Sequence, residues 1–169
     1  CSLFELISNV KMPEEESLTL FVNYRRADDK VFVELLRTHF MFRYGQDNVF
    51  MDFDTIPPFA DFAEFIKDRV RASDVLVMII GKNWLKLLKE KESKGEPDYV
   101  RMELEEALKH NIPIAPILIQ GAQLPDKNDV PVSLQPIWSL NIPAISEGRD
   151  LLNNIGYIMQ GFERAVREK

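Results

Sequence analysis

A short, unbroken apolar run constrains the fold of this chain more than any other feature of its sequence. Val75–Ile80 reads VLVMII, is rich in β-branched residues and stops at Gly81. A run this short and continuous predicts a strand that is buried on both faces, as the strands of parallel sheets are. It is also far too short to cross a bilayer as a helix.

Short apolar runs alternate with segments of helical periodicity along most of the chain. The other predicted strands lie at residues 18–23, 49–51, 112–119 and, more weakly, 137–141. Helices are predicted after a cap at Asp28 or Asp29, after Asp61, at about 98–110 and at about 149–167. A polar stretch, 89–97, separates two of these elements. The alternation predicts a parallel sheet that is covered by helices on both faces.

The length of the chain indicates one compact domain. It has 169 residues, of which 46% are hydrophobic, enough for a buried core. Residues 1–16 lie outside the alternating pattern, so we expect a leader or the remnant of a linker there and the domain at 17–169. The chain begins with Cys1 and not with Met, and we therefore expect it to be a piece of a longer protein.

Composition excludes several classes of function. One Cys cannot form an internal disulfide, and one Cys with two distant His cannot close a structural zinc site, so no metal is expected. A net charge of −6 argues against a nucleic-acid binder with a basic face. No signal peptide and no membrane-spanning segment is recognised, and a cytoplasmic location is expected. Neither nucleotide-binding glycine motif and no serine-hydrolase motif is present.

Candidate binding residues follow the predicted strands. In open α/β sheets, ligands bind outside the carboxyl ends of the strands. The segments at those ends are 23–26, 52–61 and 82–84. Arg25 and Arg26 can hold a phosphate, because a guanidinium group matches its oxygens. The alternative is that both are surface arginines paired with Asp28 or Asp29.

The third predicted helix carries the sharpest candidate. Its stripe of mostly apolar residues comprises Val100, Leu104, Ala107, Leu108 and Asn111. Glu103 lies at the border of that stripe, with Tyr99 one turn before it, whereas Glu105 and Glu106 point further into solvent. A carboxylate at such a border can be partly desolvated and available to a ligand. The alternative is an ordinary solvated acid on a helix.

Four segments together resemble a TIR domain of the bacterial type. They read FVNYRRADD, VFMDFDTIPPFADF, SDVLVMIIGKNWL and DYVRMELEEAL, and the resemblance covers about residues 17–168. It implies a flavodoxin-like three-layer α/β fold with a five-stranded parallel sheet and helices on both faces. The enzymatic members of the family cleave the nicotinamide–ribose bond of NAD+ with a glutamate on the third helix, the position that Glu103 matches here.

The resemblance also implies a substrate site, with NAD+ as substrate and no cofactor. Glu103 is the expected catalytic residue, and nicotinamide is expected to rest against Tyr99, Phe59 or Trp84. Arg25 or Arg26 is the expected phosphate contact. The full expected substrate-binding set is Asn23, Tyr24, Arg25, Arg26, Asp52, Phe59, Trp84 and Tyr99. The products, linear ADP-ribose or a cyclic isomer, stay open.

The loop after the second predicted strand is expected to mediate assembly with other TIR domains. It comprises Phe53, Asp54, Ile56, Pro57, Pro58 and Phe59. Its apolar residues either form a contact surface or fold back onto the domain's own core. Phe59 stands where many bacterial relatives have glycine, which permits backbone angles that phenylalanine resists.

The family includes more than one class of function. The resemblance implies an NAD-cleaving effector in anti-phage defence that becomes active on self-assembly, joined to a sensor or assembly module. The alternative is a non-enzymatic TIR adaptor, and adaptors commonly lack the carboxylate that Glu103 supplies. A phosphoacceptor receiver shares the fold but needs an acidic pair after the first strand, where this chain has Asn23 to Arg26.

Overall fold

A five-stranded parallel sheet organises the part of the chain that the computed structural model describes, residues 17–51 and 56–169. The strands, in the spatial order β2-β1-β3-β4-β5, are β1 (Leu20–Asn23), β2 (Val49–Phe50), β3 (Val75–Ile80), β4 (Ile114–Ile119) and β5 (Ala144–Ile145). The helices are α1 (Lys30–Tyr44), α2 (Phe62–Arg71), α3 (Trp84–Lys94), α4 (Tyr99–Lys109) and α5 (Leu151–Arg167). This confirms the predicted three-layer fold.

The central strand β3 shows why the sheet needs helices on both faces. All six of its residues are buried. Val75, Val77 and Ile79 pack in one core with residues of α1 and α5. The alternate residues of β3 pack in a second core with residues of α2, α3 and α4. Because successive side chains of a strand point to opposite faces, an unbroken apolar run is what this double burial requires.

Two predicted helix starts are confirmed by their caps. The side chain of Asp29 accepts a hydrogen bond from the backbone N–H of Phe32 at 3.3 Å, at the start of α1. The side chain of Asp61 accepts one from the backbone N–H of Glu64 at 3.0 Å, at the start of α2. Each bond satisfies an N–H group that the first turn of a helix leaves without a partner.

The helix α3 was not predicted from the sequence. Its second half falls in the polar stretch at residues 89–97, for which the sequence predicts a connection. Only one edge of the helix is apolar, and its buried residues are Trp84 and Leu88. With so few apolar positions, helical periodicity is hard to detect in the sequence alone. The candidate helix, third in the prediction, is therefore the fourth helix of the fold.

The prediction of a fifth strand at residues 137–141 was wrong. Val132–Ser139 forms a 3₁₀ helix, and the fifth strand is Ala144–Ile145. It pairs in parallel with the end of β4, with Ile145 opposite Ile119. Two residues are too few to give a strand pattern, so the pairing is set by the neighbouring strand. Within the described residues, none of the helices has the length and hydropathy needed to cross a membrane.

Candidate active site

A cavity of about 300 Å³ opens at the carboxyl ends of β1 and β2. Its walls come from the loop after β1, from α3 and from the start of α4. The residues that line it are Val22, Tyr24, Arg25, Arg26, Ala27, Met51, Leu87, Lys91, Pro97, Asp98, Tyr99, Val100 and Glu103. This is the edge of the sheet where parallel α/β folds bind ligands, and the volume lies at the lower end of the range for small-molecule sites.

Glu103 is the buried carboxyl group of this cavity. Its side chain is in the wall, yet the residue is only 4% exposed. The amide of Asn23 donates a hydrogen bond from Nδ2 to Oε2 of Glu103 at 2.7 Å. Burial raises the pKa of Glu103 to about 8, although the Asn23 hydrogen bond acts in the opposite direction. The sequence placed Glu103 at the border of the buried stripe, and the structure buries it much more deeply.

Asn23 holds Glu103 in position from the last residue of β1. Asn23 is fully buried, and its Nδ2 also donates to the backbone carbonyl of Val100 at 3.0 Å. The two bonds tie the end of β1 to two successive turns of α4. Within the described residues, Oδ1 of Asn23 has no hydrogen-bond partner. Asn23, one of the expected substrate contacts, does not itself line the cavity.

Arg25 has a different role from the one expected. It is 6% exposed, and its Nη1 and Nη2 donate to the two carboxylate oxygens of Asp98 at 3.1 and 2.8 Å. Both terminal nitrogens are therefore engaged, which contradicts a surface pair with Asp28 or Asp29 and disfavours a phosphate contact. Asp98 also caps α4 through the backbone N–H of Arg101. The pair fixes the cavity wall at the start of that helix.

Trp84 supports the wall from behind. It is fully buried and does not line the cavity, so the structure disagrees with a nicotinamide contact near the mouth. The guanidinium carbon of Arg25 lies 5.3 Å from the centre of the Trp84 ring, and Trp138 packs on the same ring system at 6.0 Å. As the first residue of α3, Trp84 is drawn into the core that this helix covers.

Asp28 joins the loop after β1 to the start of α3. Asp28 is 5% exposed, and both of its carboxylate oxygens lie 3.3 Å from the backbone nitrogen of Asn83, which donates to them. Burial raises the pKa of Asp28. A Cβ atom on Gly81 would lie 2.2 Å from Oδ2 of Asp28, so this close approach requires glycine at position 81. Two walls of the cavity are thus held together at one point.

The remaining expected contacts divide into two groups. Tyr24, Arg26 and Tyr99 line the cavity, as a substrate site requires. The ring of Tyr99 packs on that of Phe62 in an edge-to-face arrangement, with 4.8 Å between centres. Phe59 does not line the cavity. Asp52, Phe53 and Asp54 lie outside the described residues, as do residues 1–16.

Phe59 is held in a strained backbone conformation with its ring in solvent. Its φ angle is +68°, in the left-handed region, and its side chain is fully exposed at 105%. Glycine adopts this conformation freely, whereas other residues lose about 1–2 kcal/mol in it. For Phe59, the structure excludes the alternative in which the loop's apolar side chains fold back onto the core.

Several lining residues were not found from the sequence. Leu87 and Lys91 come from α3, the helix that was not predicted, and Met51 follows the short strand β2. Asp98 was expected as a helix start, and nothing in the spacing signalled its pairing with Arg25. Within the described residues, no group of three or more His, Cys, Asp or Glu side chains could hold a metal ion.

A second buried glutamate on α4 corrects another expectation. Glu106 was expected to point into solvent, but it is 7% exposed. Its Oε1 lies 2.9 Å from Nε2 of His110 and 3.7 Å from Nη1 of Arg71. The helix α2 packs against this side of α4 and covers it, which a helical wheel of α4 alone could not show.

Comparisons with known proteins agree with this architecture. The family model described as "TIR domain" matches residues 20–146, while a comparison with curated proteins gives no match. In fold, the chain is similar to a metazoan TIR-STING receptor from C. gigas, with a TM-score of 0.54, 16% identity and coverage of 86% of this chain. It spans 40% of the length of that receptor.

A second solved structure is similar as well. It contains the TIR domains of the activated Roq1 resistosome directly recognizing the pathogen effector XopQ, with a TM-score of 0.48, 15% identity, and coverage of 89% of this chain and 82% of that chain. At 16% identity, the likeness to the receptor speaks for the fold alone. The family match covers three quarters of the sequence, and on that basis the chain belongs to the TIR domain family.

Proposed function

We propose that this TIR domain cleaves the bond between nicotinamide and ribose in NAD+. The observation that carries the proposal is Glu103, a carboxyl group 4% exposed in the wall of a cavity of about 300 Å³. A carboxylate held in a desolvated cavity is the group that glycoside-cleaving sites use against developing positive charge. The motif resemblance assigns this residue the same role.

The chemistry follows from the charge that bond cleavage creates. As the bond from ribose C1′ to the ring nitrogen breaks, its electron pair goes to the pyridinium ring, which leaves as neutral nicotinamide. The ribose then carries positive charge shared between C1′ and the ring oxygen, and the Glu103 carboxylate stabilises it. Water adds to C1′ and releases a proton, which gives ADP-ribose. Attack by the adenine of the same molecule would instead give a cyclic product.

The remaining lining residues have consistent roles in this proposal. Tyr99 and Tyr24 supply aromatic walls for the nicotinamide ring, and Arg26 and Lys91 supply positive charge for the phosphates. Arg25 acts as a positioning residue, because its pair with Asp98 fixes the wall and does not reach outward.

The test is separation of NAD+, nicotinamide and ADP-ribose by chromatography after incubation with the chain. We expect nicotinamide from assembled wild type and at least ~100-fold less from Glu103→Ala. The matched control is Glu105→Ala, which removes another acid from the same helix. The carboxylate of Glu105 pairs with Arg101 at 2.9 Å. Activity that survives Glu103→Ala would remove the role of that residue. An inactive assembled wild type would favour a TIR adaptor.

Assembly is part of the same proposal. The exposed ring of Phe59, kept in the left-handed region, favours contact with a second TIR domain. The variant Phe59→Gly relieves the backbone strain, so we expect it to be more stable by about 1 kcal/mol and yet less able to associate. Sedimentation and thermal unfolding measure the two effects. Unchanged association would contradict a role for this ring.

We further propose the effector step of a bacterial defence against phage, which rests on the motif resemblance alone. Phage are expected to form fewer plaques on cells that express the wild-type protein, with any sensor module it is joined to, than on cells that express Glu103→Ala. Equal plaque counts would contradict the defence role and leave the cleavage proposal to its own test.

A further inference from the structure

Among the described residues, no cationic side chain pairs with the buried acid of the cavity, Glu103. Among the described residues, none forms a salt bridge with Glu103, whose hydrogen bond comes from the neutral amide of Asn23. Two of the cations that line the cavity are paired with other acids: Arg25 with Asp98 at 2.8 Å, and Lys91 with Glu96 at 3.2 Å. Burial disfavours an ionised carboxylate in this position, and the largest factor in its favour is the hydrogen bond from the Asn23 amide.

The charged and titratable groups around this acid come from three elements. They are Asp98, which caps α4, Tyr99 at the start of α4, Tyr24, Arg25 and Arg26 on the loop after β1, and Lys91 on α3. Asp98 disfavours ionisation of Glu103, and Arg25 favours it, but these two neutralise each other as a pair. The charge of a ligand that enters the cavity can therefore decide whether Glu103 is ionised.

A cationic ligand would supply the positive charge that stabilises the ionised form of Glu103. An opposite charge within about 4–6 Å favours the ionised form of a carboxyl group, and the effect is stronger in a desolvated site. The aromatic residues of the same wall, Tyr24 and Tyr99, can also attract a cation. An uncharged ring of the same shape gains neither effect and leaves the acid protonated.

We propose that the cavity selects ligands with a positively charged aromatic ring over their uncharged counterparts, and that Glu103 releases a proton to solvent when such a ring binds. The inference rests on the proposed function, since the pyridinium ring of NAD+ is the cation concerned. It excludes the reduced dinucleotide, whose dihydropyridine ring is uncharged. Binding converts the neutral acid and a cation into an ion pair and one free proton.

The test uses two small probes that carry no ribose bond, so no turnover can occur. One is 1-methylnicotinamide, a pyridinium cation, and the other is nicotinamide, which is neutral. The carboxyl carbon of Glu103 is followed by NMR as a function of pH in the wild-type chain. Glu103→Gln identifies the signal by its loss and keeps a side chain of the same shape.

We expect the free chain to titrate near pH 8, as burial of Glu103 dictates. Saturating 1-methylnicotinamide should lower this midpoint by about one pH unit or more, and nicotinamide should leave it unchanged. The affinity for the cation should rise with pH up to the midpoint in the wild type and be independent of pH in Glu103→Gln. A midpoint that neither probe moves, or that both move equally, would overturn the proposal.

The outcome is separable from the fate of the proposed function. A midpoint shift without nicotinamide release from NAD+ would retain a cation-selective cavity and remove the cleavage reaction. Release without a shift would retain the reaction and remove proton-coupled selection.

Discussion

Two glutamates on α4 are both buried, and their surroundings are opposite. Glu103 is 4% and Glu106 7% exposed. The carboxyl group of Glu106 faces the cations Arg71 and, when it is protonated, His110. That of Glu103 faces an amide and an open cavity. Burial alone therefore does not distinguish a structural acid from a functional one. The distinction lies in whether the fold supplies a countercharge or leaves it to a ligand.

The largest expected effect is the pH dependence of stability at Glu103. Because the pKa is raised from an ordinary 4.5 to about 8 in the folded protein, the folded protein keeps a proton that the unfolded chain has released. Rising pH therefore favours unfolding between pH 4.5 and about 8. Relative to Glu103→Gln, the wild type should lose about 1 kcal/mol of unfolding free energy for each pH unit. Urea unfolding at several pH values measures this.

Three features of that comparison can contradict it. The two stability curves should run parallel below pH 4.5, where both states hold the proton, and again above about pH 8. The control Glu105→Gln, on a half-exposed residue, keeps Glu103, so its stability should fall between pH 4.5 and about 8 as that of the wild type does. A Glu103→Gln curve that also parallels the wild type between these limits would mean that Glu103 is ionised in the folded protein.

The second effect concerns the amide that holds Glu103. Asn23→Leu removes the hydrogen bond that favours the ionised form of Glu103. The pKa of Glu103 should rise further, and the pH midpoint of nicotinamide release should rise with it. At neutral pH, release should fall about tenfold for each unit of that shift. A pH profile of the initial rate checks this, with circular dichroism to verify folding. An unchanged midpoint would contradict it.

The sequence predicted the parts of the fold that rest on local patterns. The apolar run of β3 and the caps at Asp29 and Asp61 are local signals. The structure has β3 at that run and begins α1 and α2 directly after those caps. The helix α3 and the strand Ala144–Ile145 carry weak patterns, and packing and pairing with neighbours define them. Such elements are set by tertiary context, which a reading along the chain does not contain.

The site was predictable in position and less so in detail. Strand ends and the motif resemblance brought Glu103, Tyr99 and Tyr24 to one cavity, and the structure places them there. The partner of Arg25 could not be found, because Asp98 is 73 residues away in the chain. The burial of Glu106 depends on α2 packing against α4. Pair partners and depth of burial are properties of the assembled fold.

The third effect tests the structural member of the pair. Glu106→Gln keeps hydrogen-bonding capacity and removes the charge that faces Arg71 and His110. We expect a loss of about 1 kcal/mol in unfolding free energy, because Arg71 is partly exposed and its attraction is screened. Nicotinamide release by the assembled variant should be unchanged. Urea unfolding measures the stability, and the chromatographic assay measures nicotinamide release. A loss of release would contradict a purely structural role for Glu106.

The smallest effect comes from the cation itself. Arg71→Gln removes the arginine beside Glu106 and leaves His110 there, a step toward the surroundings of Glu103, and it also breaks the ion pair of Arg71 with Asp68. Because the Arg71 side chain is 37% exposed, we expect a loss of about 0.5 kcal/mol that shrinks at high salt. Lys67→Gln is the matched control on the same helix, since Lys67 pairs with the exposed Glu64 at 3.7 Å. Equal losses in the two variants would show that Arg71 contributes only surface charge, and that burial of Glu106 depends on His110 and packing instead.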